Sequence, residues 1–310
     1  MSFLPKGLNF AFTIVDDTDD ANTKNIRPVY DFLNELGVYV TKTVWPMGCP
    51  EGSELFFAGS TLEDSEYLSY VEVLQQRGFE VAMHNATMET SDRSRTEAGY
   101  RFMDQQFGER DWLHCNHGNN FENIYWGKNR FSISVYKLLG EYVFYRGKKF
   151  EGENPQGQYF WGDICREKVK YVRSFTFSEL NVFNVTSNPV YRLKQTPYVR
   201  NWFITSDAPD VNEFAALVNQ RSLEKLIDEG GICLLSTHLG KGFCIDGSLD
   251  PRFRETMEYI AAQGGWYAPA STVLDAIKSS CQEGPLNGLQ RLALETNFIV
   301  QSVRRKLYGN

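Results

Sequence analysis

Short apolar runs alternate with longer stretches of helical periodicity along most of this 310-residue chain, and that alternation restricts it to parallel strands wrapped by helices. Residues 9–17 read as a first strand and 25–36 as a helix closed by Gly37. A strand at 38–45 is followed by a helix at 60–78, with Ser60 or Thr61 as its N-cap and Gly78 as its stop. Strand 79–84, helix 91–108 and strand 111–118 continue the series. Residues 119–168 break it with a long excursion rich in aromatics, Gly and Asn, holding one helix at 131–140. Strands return at 170–177 and 199–206, then helix 211–229, strand 231–238, helix 251–263, strand 266–270 and helix 271–281. Seven or eight such repeats predict a distorted (β/α) barrel of about seven strands, with a doubly wound open sheet as the alternative. The barrel domain is expected over 1–285. A helical extension over 286–310 is expected to pack on the barrel or to hold a second subunit as a homo-oligomer.

The reactive ends of parallel strands lie at one rim. All four histidines fall there: His84 ends the third strand, His114 and His117 the fourth, and His238 the last long one. The first strand runs into "DDTDD", which places Asp16, Asp17, Asp19 and Asp20 at the same rim. Burying unpaired carboxylates is costly, so acids delivered to such a place need positive charge. Carboxylate and imidazole donors together suit a borderline divalent ion, with zinc the expected one, and such an ion makes bound water acidic enough to attack a carbonyl near neutrality. One of Asp16 and Asp17 is then the ligand and the other the base, while Asp19 and Asp20 read as caps of the following helix. The segment "HGNNFENIYWGKNRF" has the makings of a sugar platform, with Tyr125 and Trp126 to stack on a ring and Asn119, Asn120 and Asn123 to bond its hydroxyls.

A net charge of −7 without a basic block along the main body argues against nucleic acid or an anionic membrane as partner, and leaves a small or neutral substrate. No apolar run is long enough to span a bilayer and the start lacks the pattern of a secretory signal, so a cytoplasmic location is expected. The six cysteines show no CxxC spacing and read as reduced thiols.

The ordered series of strand–Asp-Asp, strand–His and "LLSTH" near the end resembles the polysaccharide deacetylase (NodB-homology) family of carbohydrate esterases over about residues 9–280. The resemblance implies a distorted (β/α) barrel and a metal-dependent hydrolase that removes an N-acyl group, acetyl by expectation, from an amino sugar of a polysaccharide or its precursor. It puts Asp16 in the place of the catalytic base, Asp17 and His84 in the places of metal ligands, and His238 in that of the general acid. The family's second metal histidine falls on Met88, a poor ligand for such an ion. His117 is the expected replacement and His114 its competitor. Asp163 and Arg173 are candidates for the family's orienting Asp and Arg. With a cytoplasmic location the substrate would be a nucleotide- or lipid-linked precursor of surface polysaccharide. Two other readings stand beside this one. One is a hydrolase of small cyclic amides or formamides on the same fold. The other is a decayed carbohydrate-binding protein whose basic C-terminal helix (Arg304, Arg305, Lys306) holds a partner.

Overall fold

A computed structural model describes residues 4–53, 59–280 and 284–308. Strands β1 (Ala11–Asp16), β2 (Thr41–Val44), β3 (Glu80–Met83), β4 (Trp112–His114) and β5 (Val169–Phe177) lie side by side in chain order. A two-residue β6 (Val190–Tyr191) then precedes β7 (Trp202–Asp207) and β8 (Ile232–Thr237). β5 pairs with β7, β7 with β8, and β8 with β1, so seven parallel strands close on themselves. The β1–β8 seam is complete, from Ala11 opposite Ile232 to Asp16 opposite Thr237. Distortion gathers at β7, where β6 pairs antiparallel with Trp202 and Phe203 while β8 meets only Ser206 and Asp207. The expected closed barrel is therefore the architecture, and the open sheet is not.

Local chemistry accounts for the elements and for the departures from expectation. Helix α1 (Thr23–Glu35) starts at a reciprocal capping box between Asn22 and Asn25. Helix α2 (Ser65–Gln76) is capped by Asp64, whose carboxylate accepts from the amides of Glu66 and Tyr67; Ser60 and Thr61, expected as caps, precede the helix in the loop. Helix α3 (Arg93–Phe107) begins at Asp92 and ends at Gly108 with φ 84°, a left-handed stop. The expected strand at 266–270 is only a bridge: Trp266 exchanges hydrogen bonds with Phe10 and Phe12, on the edge of β1 that β2 leaves uncovered because β2 pairs only with Val15 and Asp16. Of the cysteines, Cys115, Cys165, Cys233 and Cys244 are buried and Cys49 is half-buried, with no disulfide among the described residues; Cys281 lies outside the described residues.

The excursion after β4 folds over the outside of the barrel with helix α4 (Ser134–Leu139), and helix α5 (Gly162–Lys168) leads into β5. Short α6 (Val182–Val185), then α7 (Val211–Leu217), α8 (Gln220–Asp228), α9 (Pro251–Ala262) and α10 (Ala270–Ser280) complete the wrapping before the long α11 (Gly288–Tyr308). That last helix packs on the barrel itself. Phe298 meets Phe175 of β5 at 4.6 Å between ring centres, and the fully buried Glu295 accepts hydrogen bonds from Arg291, Ser132 and Ile133.

Candidate metal centre

Successive side chains of a strand point to opposite faces, and this alternation sorts the four acids after β1. Asp16, still within the strand, points outward into the layer between β1, β2 and their helices. It sits in register with Lys42 and is fully buried. Its Oδ2 accepts from Lys42 Nζ and Tyr30 Oη, each at 2.8 Å, and its Oδ1 from the Leu239 amide at 2.7 Å. None of these partners is an imidazole, although Leu239 directly follows His238, and the place expected for the catalytic base holds a buried ion pair with Lys42.

Asp17 is the first acid to face the barrel mouth. Arg173, inward-facing on β5, grips both of its oxygens at 2.9 and 2.6 Å and also donates to Ser236 Oγ at 2.7 Å. Burial by itself would raise the Asp17 pKa, but the Arg173 guanidinium, helped by His84 and His238, outweighs it and holds the carboxyl below its ordinary range. Arg173 is thus an inward partner of the expected ligand, while Asp163 is a largely exposed carboxylate paired with Arg93 on the outside of the molecule.

Asp19, expected as a helix cap, stands at the centre of the rim, because the cap of α1 is Asn22. His84 Nε2 lies 3.5 Å from Asp19 Oδ1, while His117 Nε2 and His238 Nε2 lie 3.7 and 3.5 Å from Oδ2. Each ring is oriented by a hydrogen bond from its other nitrogen. His84 Nδ1 donates to the Cys115 carbonyl at 3.0 Å, His117 Nδ1 to Asn120 Oδ1 at 3.0 Å, and His238 Nδ1 to the Pro209 carbonyl at 2.7 Å. All three Nε2 atoms are thereby aimed at one carboxylate, the arrangement by which outer partners set the tautomer of metal-binding imidazoles. Close contact between the loops after β8 and β1 brings His238 there: a side chain at Gly240 would come within 2.6 Å of the Ala21 nitrogen.

His114 is elsewhere. Tyr100 Oη donates to its Nδ1 at 2.9 Å, its Nε2 donates to Asn116 Oδ1 at 3.3 Å, and burial pushes its pKa down to about 3. Both nitrogens are committed, so of the two candidates for the missing donor only His117 reaches the cluster. Met88 is 5% exposed and packs.

The rest of the presumed sugar platform serves other ends. Asn120 Nδ2 donates to the carbonyls of Thr87 and Glu89 and to Glu122 Oε1, which leaves its Oδ1 turned to His117. Asn123, fully buried, donates to the His117 carbonyl at 2.6 Å and accepts from Asn85 Nδ2. Asn85, at φ 59°, in turn accepts from the His117 amide and donates to the buried Glu122. These amides bond protein groups, not solvent. Asn119 is exposed and accepts from Lys148. Tyr125 is buried against Tyr198 and Trp202, and the face of Trp126 is covered by Arg130 at 3.9 Å. Asn85 and Glu122 sit on loops where nothing in the local pattern of the sequence marks them, and Asp19 is not the helix cap expected of it.

The residues present fit a divalent ion. Asp19 Oδ1 is buried and has no hydrogen-bond donor, an expensive condition that a cation relieves. Asp19, His84 and His117 each offer a ligand atom within 4.8 Å of the others. Burial would raise the Asp19 pKa, but the three imidazoles hold it far below the ordinary range. Burial likewise pulls His117 and His238 down, and Asp19 more than offsets this and raises both; for His84 burial wins and the pKa falls. Two imidazoles and one carboxylate leave coordination positions open for water and substrate, as catalytic zinc sites do.

No family model matches the chain, and comparison with curated protein sequences finds no match. Solved structures do match its fold. One, from Mycobacterium smegmatis and assigned as a polysaccharide deacetylase, has a TM-score of 0.52 and 12% identity over 91% of this chain and 96% of that one. Another with the same assignment, from Pseudomonas aeruginosa PAO1, has a TM-score of 0.50 and 8% identity over 89% and 93%. In architecture the chain therefore shares the (β/α) barrel of these two structures.

Proposed function

We propose that the protein is a metal-dependent hydrolase of the deacetylase type, which removes an N-acyl group, acetyl by preference, from an amino sugar. The observation that carries this reading is the convergence of three imidazole Nε2 atoms on a half-buried carboxylate whose Oδ1 is itself buried and unbonded. Asp19, His84 and His117 would hold the ion, zinc by their donor chemistry. When bound, such an ion supplies Lewis acidity, polarising an acyl carbonyl and making water acidic enough to attack it. Asp17 is the base in this reading: its carboxylate is kept ionised and oriented by Arg173, and its Oδ1 accepts the proton of the attacking water. His238, with Nδ1 tied to the Pro209 carbonyl, presents Nε2 to hand a proton to the departing nitrogen. The base and ligand thus fall on Asp17 and Asp19, later in the chain than the motif comparison implies.

The side chains of His84, His117, Asp17, Asp19 and His238 are at most 15% exposed, so only the reacting group of a substrate reaches them. An acyl group projecting from a sugar meets that condition. A small cyclic amide or formamide does too, and this is the second reading. In this reading His117 supplies the donor that Met88 lacks, so Met88 by itself does not argue for a decayed site.

Purified protein dialysed against zinc is expected to retain about one ion per chain and to release acetate from N-acetylglucosamine oligomers, with release stopped by a chelator and restored by zinc. Retention of the ion with turnover of cyclic amides alone would select the second reading, and failure to retain any divalent ion would end both. Asn120→Ala, which leaves His117 Nδ1 without its acceptor, is expected to weaken zinc binding about 10- to 100-fold in competition with a chromophoric chelator.

A further inference from the structure

Eleven large apolar side chains are exposed among the described residues, and nine of them lie on two neighbouring elements. Val135, Leu138, Tyr142 and Val143 project from α4 and the π-turn that continues it (Gly140–Phe144). Leu289, Leu292, Val300, Val303 and Leu307 project from α11. The two elements touch: Tyr136 Oη and Thr296 Oγ1 share a hydrogen bond of 2.8 Å, and Lys306 Nζ donates to the Val143 carbonyl at 2.8 Å. At about 100° per residue, the five α11 positions form one narrow stripe, on the side opposite Arg291, Leu294 and Phe298, which face the barrel. A helix apolar on both sides calls for a second apolar neighbour.

Charge identifies that neighbour. Residues 131–150 and 288–308 contain eight basic side chains and two acidic ones, in a chain whose net charge is −7. Both acids are already paired, Glu141 with Lys128 and Glu295 with Arg291. Lys137, Arg146, Lys148, Lys149, Arg304 and Lys306 are exposed, and among the described residues none of them is in an ion pair with a carboxylate. We propose that this face docks on an anionic lipid bilayer, its apolar side chains entering the boundary between headgroups and acyl chains and its cations meeting lipid phosphates. A second copy fits less well, because a two-fold contact would set the same six cations against themselves, and both carboxylates among the described residues of these segments are already paired. The overall charge of the sequence argues against an anionic surface; the fold overrides that by gathering basic residues from segments far apart in the chain. Lys148 bonds Asn119, two residues beyond His117, so the face borders the candidate metal centre, although the proposal stands on the surface alone and does not depend on the hydrolase reading.

The test is co-sedimentation of the full chain with vesicles of phosphatidylcholine and with vesicles in which phosphatidylglycerol replaces part of it. Partition onto the anionic vesicles is expected to exceed that onto neutral ones by at least about tenfold, and to fall as salt is raised. Lys148→Glu/Lys149→Glu and Leu138→Glu/Leu307→Glu are each expected to lower it by at least about tenfold while the unfolding midpoint stays put. Equal partition onto both vesicle types, or unchanged binding by either double variant, overturns the proposal. So does absence of vesicle binding together with dimerisation in sedimentation velocity that Leu292→Glu abolishes, a result that gives the face to a second copy.

Discussion

Asp19→Ala is expected to strip the divalent ion from the protein and to lower deacetylation by at least about a thousandfold, several kcal/mol of lost transition-state stabilisation. Asp19 is the carboxylate on which His84, His117 and His238 converge, and the other three acids at the end of β1 have cationic partners: Asp17 is held by Arg173, Asp16 by Lys42, and Asp20 lies beside Lys241. The companion variants sharpen the result. Asp17→Asn is expected to keep the ion, measured by elemental analysis, yet to lower kcat by about 10²- to 10⁴-fold, the range for losing a positioned base. Asp16→Asn is expected to leave the metal content unchanged, since its partners are Lys42, Tyr30 and the Leu239 amide. Should Asp16→Asn release the ion while Asp19→Ala retains it, the assignment drawn from the geometry is wrong and the one implied by the motif order is right.

Lys42→Met is expected to destabilise the fold by about 3–5 kcal/mol in denaturant titration, the cost of leaving a buried charge without its partner. Lys42 and Asp16 are both 0% exposed and lie opposite each other across β1 and β2, with Nζ and Oδ2 2.8 Å apart. Burial would lower the Lys42 pKa, but the Asp16 carboxylate, with the Tyr67 hydroxyl nearby, outweighs it and raises the pKa. Removing the ammonium leaves the carboxylate with two neutral donors, the Tyr30 hydroxyl and the Leu239 amide. Lys42→Met/Asp16→Asn removes both charges and is expected to recover most of the loss, which distinguishes an orphaned charge from poor packing of the new side chain. A cost below about 1 kcal/mol for the single variant would show that water or rearrangement satisfies Asp16, against the burial described here.

Much of the architecture was legible in the chain. Strand and helix periods differ, 2.0 against 3.6 residues, so their alternation shows in the apolar pattern, and a run of βα units leaves every strand end on the same rim. His84, His117 and His238 could therefore be placed together from their positions after β3, β4 and β8. The strand at 266–270 could not be told from a bridge, because its pairing depends on which edge of β1 the neighbouring strand leaves uncovered. The amide network of Asn85, Asn120, Asn123 and Glu122 was equally hidden, since its members read locally as loop polarity and only their mutual bonds give them a purpose.

By itself, then, the sequence determined a parallel barrel with imidazoles and acids at one end, because periodicity and element order are local and additive along a chain. Which acid reaches the imidazoles was decided only by the tertiary structure. Four carboxylates within five residues are equivalent in composition, and what separates them is the face each one meets: Asp16 a lysine in register on the next strand, Asp17 an arginine across the barrel, Asp19 the open mouth. The basic apolar face has the same origin, since α4 and α11 are adjacent only once the last helix lies against β5.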